Sequence, residues 1–163
     1  MGKIVRIDSL HNNDRKSCSA NGDGIRVVVW FSGCDIKCEG CHNQEYQNPE
    51  YGEEFNENHL KEIFDEIHNY GYYKGISILG GEPFSKYNVD SCIELCKAFK
   101  EQFPDKDIWI WSGYTKEILE TSDEARELMS YCDYLVDGPF ILSKRNIGLK
   151  FRGSENQRIH KLK

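Results

Sequence analysis

The sequence has no apolar run long enough to cross a bilayer. Residues 1–10 contain no signal-peptide hydrophobic segment. Position 6 is Arg6, so the Ser or Thr of a myristoylation motif is missing as well. The expected compartment is therefore the cytoplasm, with no membrane partner. Excess positive charge is absent too. A net charge of -6 argues against direct, general binding of nucleic acid, although a local basic patch stays open. There is no internal repeat, linker or second domain, so residues 1–163 are expected to form one domain, long enough to bury a core. Seven cysteines is an odd number, which fits a fully paired disulfide framework poorly. Three of them are bunched together, which fits reduced thiols and metal binding better than secretion.

That bunch is the most informative stretch. Cys34, Cys38 and Cys41 fall within eight residues, spaced C-x3-C-x2-C, with Gly33 and Gly40 to let the loop bend. Three thiolates turned toward one point select zinc, copper(I) or an iron–sulfur cluster. A structural zinc site is usually closed by four protein ligands, and most clusters also have four. Three cysteines on a four-iron cluster would leave one iron open to a substrate. A zinc site completed by His42 or Cys18 is the competing reading. Three accidental core cysteines fit a polar, glycine-containing loop poorly.

The chain around this loop reads as alternating strands and helices. Lys3 to Ile7 predicts a short strand, and the polar residues 11–23 a loop. Ile25 to Phe31 is almost continuously apolar and β-branched, the pattern of a strand buried on both faces. The cysteine loop follows it directly, at a carboxyl strand end, where α/β folds place their sites. Residues 56–70 predict a helix with Leu60, Ile63, Phe64 and Ile67 on one stripe, Asn56 as N-cap and Gly71 as C′. Strands are expected at 75–79, 107–111 and 133–136. A helix is expected over about 88–103, stopped by Pro104. One or two helices are expected over 115–131, broken near 121–123, with Ser122 or Asp123 as the second cap. This order implies right-handed crossovers and a parallel sheet. The units are too few for a closed eight-stranded barrel, so the expected fold class is α/β, a partial open (β/α) barrel. Residues 138–163 read as an irregular, polar, basic C-terminal segment, with 157–162 a possible edge strand.

Gly80-Gly81-Glu82-Pro83 ends the strand after the cysteine loop. Two glycines there are often only a tight turn. They also let bare backbone approach a ligand, with carbonyls for an ammonium group and the Glu82 carboxylate beside them. Cys92 and Cys96 share an apolar helix face and read as core thiols, as does Cys132 before its strand. Cys18 is undecided. His11, His59, His68 and His160 carry no constellation. Trp109 reads as core, whereas Trp111 opens a strand-end loop and could line a pocket. Asp137 could bond a ribose or cap a turn, with nothing to choose between them.

The C-x3-C-x2-C and Gly-Gly-Glu motifs in this order resemble those of the radical S-adenosylmethionine enzymes. Further pieces narrow the resemblance: Asn21-Gly22-Asp23-Gly24-Ile25-Arg26, Trp111-Ser112-Gly113-Tyr114, Val136-Asp137-Gly138-Pro139-Phe140 and 152–158. Over residues 21–158 the chain resembles the activating proteins of anaerobic (class III) ribonucleoside-triphosphate reductase. Asp23 stands where that family usually has proline. Gly40 stands where many radical S-adenosylmethionine enzymes carry an aromatic residue beside the adenine, so adenine contacts must come largely from elsewhere.

The resemblance implies a 4Fe–4S cluster on Cys34, Cys38 and Cys41, with S-adenosyl-L-methionine on its fourth iron. Gly80, Gly81 and Glu82 would orient the amino group, and Gly40, Cys41 and His42 would contact the nucleoside. Beyond the cluster and cofactor it implies no catalytic side chain. An external one-electron donor, flavodoxin-like or other, would drive cleavage to methionine and a 5′-deoxyadenosyl radical. That radical would take a hydrogen atom from a glycine of the large reductase subunit. The basic tail, with Lys144, Arg145, Lys150, Arg152 and Arg158, is a candidate docking surface or an ordinary solvated segment. The alternatives are an activator of another glycyl-radical enzyme, a small enzyme of the same chemistry acting on a free metabolite, and a zinc-stabilised module without catalysis.

Overall fold

The structure, a computed structural model, describes residues 2–36, 40 and 44–163. Strand β2 (Arg26–Ser32) is buried at every position, as its unbroken apolar sequence requires of a central strand. Parallel to it, in order, lie β4 (Gly75–Gly80), β5 (Asp107–Trp111) and β6 (Tyr134–Asp137). Strand β1 (Lys3–Asp8) is antiparallel to β2, and the two-residue β3 (Glu53–Glu54) is antiparallel to β1. At the opposite edge β7 (Arg158–Lys161) runs antiparallel to β6. The result is an open seven-stranded sheet, ordered β3-β1-β2-β4-β5-β6-β7.

The parallel sheet expected from the sequence is thus its centre only. The three flanking strands are reached without a crossover helix, and such connections favour antiparallel pairing.

The connections between the parallel strands are α2 (Glu57–Asn69), α3 (Val89–Gln102) and the pair α4 (Lys116–Leu119) and α5 (Asp123–Tyr131). Their apolar side chains pack on one sheet face: Ile63, Leu95, Phe99 and Leu128 join Val27, Val29, Phe31, Ile76, Ile78, Ile108 and Ile110 in one core. Neighbouring parallel strands follow chain order without reversal, so the crossovers stay on that side. The other face carries Val28, Trp30 and Leu79 with Tyr46, and Trp111 against them. At the lower end of that face the buried Arg26 donates to Ser77 and Asp107 and to the carbonyl of Ile76, tying three strand starts together.

Local signals explain the helix ends. Asn56 caps α2 by accepting from the Asn58 amide, while the His59 ring accepts from the Asn56 amide, forming a capping box. Thr115 and Ser122 cap α4 and α5. Gly71 does not close α2 as a left-handed C′ residue. Tyr70 is extended there, and its ring stacks on His11 at 3.9 Å. The stretch 11–23 is not wholly a loop, since it holds the one-turn helix α1 (Ser17–Ala20). Among the described residues no helix is long and apolar enough to cross a membrane.

Candidate cofactor and metal site

Three parallel strands end beside one cavity of about 440 Å³. Cys34 stands at its rim two residues after β2, Gly80, Gly81 and Glu82 follow from β4, and Trp111, Ser112 and Gly113 from β5. The sequence expectation that Trp111 lines a pocket holds, and its indole donates to the Phe151 carbonyl at 2.7 Å. Trp109 lies deeper, buried against Tyr134 at 4.5 Å between ring centroids.

The two motif loops are zipped together by backbone. The Gly81 amide donates to the Phe31 carbonyl at 2.8 Å, and the Glu82 amide to the Gly33 carbonyl at 2.7 Å. On the far side the Gly33 and Cys34 amides donate to the carbonyls of Tyr46 and Gln47. This closeness is what demands glycine. A Cβ on Gly80 would lie 2.0 Å from the Phe31 carbonyl oxygen, and one on Gly81 2.5 Å from that of Gly33. Gly33 and Gly80 also have positive φ, at 102° and 122°. The glycines therefore admit a neighbouring loop, while their own backbone faces the cavity.

Glu82 is fully buried, with one carboxylate oxygen accepting from the Gly113 amide at 2.6 Å. The other accepts from the Ser112 hydroxyl at 2.8 Å and the Phe84 amide at 3.0 Å. Burial pushes its pKa up to about 7, against the opposing pull of those three donors. It is a strap between strand ends as well as a cavity carboxylate. Tyr114 adds a second strap, donating to Asp35 of the cysteine loop at 2.6 Å.

Cys38, Cys41 and His42 lie outside the described residues. Gly40 is described, and a Cβ there would meet Leu142 at 3.0 Å and the Phe140 ring at 3.5 Å. Residues from the tail thus fill the space beside Gly40, and Phe140, Phe151 and Arg152 go on to wall the cavity.

The remaining candidates separate. Cys92, Cys96 and Cys132 are fully buried in the helix-side core, where burial holds the first two thiols well above their ordinary pKa. Cys18 is buried in α1 away from the cavity lining, and burial pushes its thiol up to about 12. Asp137 does not line the cavity. It accepts from the Lys116 amide at the start of α4, and Arg158 and His160 of β7 lie against it. Burial pushes its carboxyl up, but Arg158, the Lys116 amide and His160 outweigh burial and leave it below its usual range. That resolves the earlier choice toward capping.

The tail is more ordered than its composition suggests. Gln157 accepts from the Gly153 and Ser154 amides and donates to the Gly138 carbonyl, while Asn156 donates to that of Pro139. Gln157 falls in the 152–158 piece of the resemblance, but that piece gave it no role, because an amide in a polar stretch looks like surface.

Comparison with known proteins agrees with this geometry. The 4Fe-4S single cluster domain family matches residues 20–160. A protein of Vibrio cholerae serotype O1 named anaerobic ribonucleoside-triphosphate reductase-activating protein is 37% identical over 142 residues, 86% of this chain and 90% of its own. A protein of the same name from Enterobacteria phage T4 is 36% identical, over 85% of each chain. Another from Escherichia coli K12 is 31% identical over 88% of this chain and 92% of its own. The chain belongs to this family of activating proteins. Its motifs, Cys34 and Gly80-Gly81-Glu82 among them, fall within the matched span. The donor set fits an iron–sulfur group: a half-buried thiol on a glycine-bent loop, at the edge of a cavity large enough for a small cofactor.

Proposed function

We propose that this protein activates an anaerobic ribonucleoside-triphosphate reductase by forming a glycyl radical on its large subunit. The observation that carries the reading is the meeting of Cys34 and Gly80-Gly81-Glu82 on one cavity at the strand ends. The names of its relatives supply the target. Cys34, Cys38 and Cys41 would hold a 4Fe–4S cluster, and S-adenosyl-L-methionine would bind beside it. When bound, the cluster and cofactor would supply reductive carbon–sulfur cleavage to methionine and a 5′-deoxyadenosyl radical, the chemistry that would take a hydrogen atom from the reductase glycine. A flavodoxin-like or other one-electron donor feeds the cluster.

The chain's own residues bind, orient and shield. Carbonyls of Gly80 and Gly81 and the Glu82 carboxylate would take the cofactor's ammonium group, and Gly40, Cys41 and His42 are the residues that would contact its nucleoside. Trp111, Phe140 and Phe151 make an apolar wall that keeps water from a reactive radical. Glu82, held by Ser112, Gly113 and Phe84, is pre-aimed, so no rotamer freedom is lost when the ammonium arrives. One domain spans 1–163, and its open sheet, with the crossover helices α2 to α5 on one side, is a partial (β/α) barrel whose other face is the lumen.

Anaerobic purification with iron, sulfide and zinc analysis tests this, followed by dithionite and S-adenosyl-L-methionine. A brown protein with about four irons that yields methionine and 5′-deoxyadenosine is expected, with Cys38→Ala inactive. A colourless protein holding zinc and making neither product would sink the enzyme reading.

A further inference from the structure

Asn88 is fully buried, occupies the N-cap position of α3, and does not cap it. An asparagine at that position ordinarily turns its side-chain oxygen back onto its own helix. Here the side chain points away, into the seam between the two motif loops. Its Nδ2 donates to the Ser32 carbonyl at 2.8 Å and the Glu82 carbonyl at 3.1 Å, with the Gly33 carbonyl at 3.3 Å. Three backbone oxygens converge on one end of the amide. Only its NH2 can face them, so the network itself fixes which end is nitrogen.

Those three carbonyls belong to the residues that lead into Cys34 and that close Gly80-Gly81-Glu82. Among the described residues the two loops are also joined by backbone hydrogen bonds from Gly81 to Phe31 and from Glu82 to Gly33. We infer that Asn88 is a positioning residue for the radical chemistry: its amide fixes the spacing between the first cluster cysteine and the segment that receives the cofactor's ammonium group. It touches neither group itself. The inference rests on the function proposed above, because only there must these two loops keep one separation. A cofactor bridging a cluster and an ammonium pocket cannot tolerate drift between them, since displacement of about 1 Å costs roughly a hundredfold in rate. Sequence reading missed Asn88 because it sits six residues beyond Glu82 and looks like an ordinary helix cap.

The test uses the full chain with Asn88→Ala, which removes the donor, and Asn88→Ser, which keeps a shorter one. In protein without cluster, amide hydrogen exchange at Gly81 and Glu82 should accelerate in the Ala variant by about tenfold, while α2 and α5 exchange as in wild type. Asn88→Ser should restore part of the protection. In reconstituted protein the Ala variant should keep its iron. Its affinity for S-adenosyl-L-methionine should fall by about tenfold, and the cofactor-induced change in the electron paramagnetic resonance spectrum of the reduced cluster should shrink. Unchanged exchange at Gly81 and Glu82 would overturn the inference. So would a general loss of protection, or a wild-type spectral response and affinity. A wild-type protein that binds no cofactor would instead defeat the functional reading, while the exchange measurement still decides whether Asn88 holds the seam.

Discussion

The carboxylate of Glu82 accepts the hydroxyl of Ser112 at 2.8 Å, so the residue two positions beyond β4 is fastened to the residue that follows β5. A glutamate expected to serve a ligand thus also joins two strand ends, and its burial makes it sensitive to pH. The folded chain keeps the Glu82 proton to about pH 7, while the unfolded chain releases it at the ordinary glutamate value of 4.5. Stability is therefore present below about 4.5 and is lost as pH rises through 7, by up to about 3 kcal/mol. Glu82→Gln cannot ionise, so the wild-type protein should lose stability relative to it between pH 5 and 8. Urea melts of the cofactor-free proteins check this, and a stability difference that is flat with pH would refute it.

Asp137 should behave in the opposite sense. Its carboxyl lies below the usual range in the folded chain, with Arg158, the Lys116 amide and His160 around it. Its contribution is present above the unfolded pKa and is lost as pH falls through the folded value. Arg158→Ala removes the largest favourable influence and leaves a buried carboxylate short of a partner. The acid unfolding midpoint of the variant, followed by circular dichroism, should move to higher pH. Equal midpoints would show that the Lys116 amide and His160 suffice.

The thiols in the helix-side core should be irrelevant to metal. Cys92 and Cys96 are fully buried with Leu95 and Phe99. Cys92→Ala with Cys96→Ala should cost about 1–3 kcal/mol through lost packing, and should leave iron per chain unchanged. Cys34→Ala should do the reverse, losing iron with little loss of stability in cofactor-free protein. Iron loss in the double variant would reopen the question of which cysteines bind.

Where a signal is local, the sequence was enough. The β2 run, the α2 stripe with Asn56 as its cap, the break at Ser122 and the strand-end places of Cys34 and Gly80-Gly81-Glu82 all follow from side-chain period, capping chemistry and chain order. Contacts across the fold were not legible. Asn88 and Gln157 are polar residues whose value lies in carbonyls brought to them by distant strands, and composition assigns both to the surface. The partners of Asp137 are likewise 21 and 23 residues away, on an edge strand that pairs only once the tail has folded back. Cys38, Cys41 and His42 were singled out by spacing and resemblance, and the structure adds nothing to that.

The basic tail must now be divided. Its base is structural, because Gln157 clamps Gly138 to Gly153, β7 completes the sheet edge, and Arg158 serves Asp137. Deleting residues 152–163 should therefore destroy folding and both activities together, and cannot report on docking. The outer turn is different. Lys144, Arg145 and Lys150 are exposed there, and Ile147 is 88% exposed, on a loop whose inner residues Leu149 and Phe151 wall the cavity. Opposite charge on a partner would steer encounter through such a turn and make it sensitive to salt. Lys144→Glu with Arg145→Glu should leave cleavage of S-adenosyl-L-methionine without reductase unchanged. It should lower the yield of glycyl radical on the reductase by about tenfold at low salt, with a smaller difference at high salt. Radical spin counts over a salt series measure this. Equal yields at every salt concentration would place the docking surface elsewhere, and a parallel fall in uncoupled cleavage would show that the turn only walls the cavity.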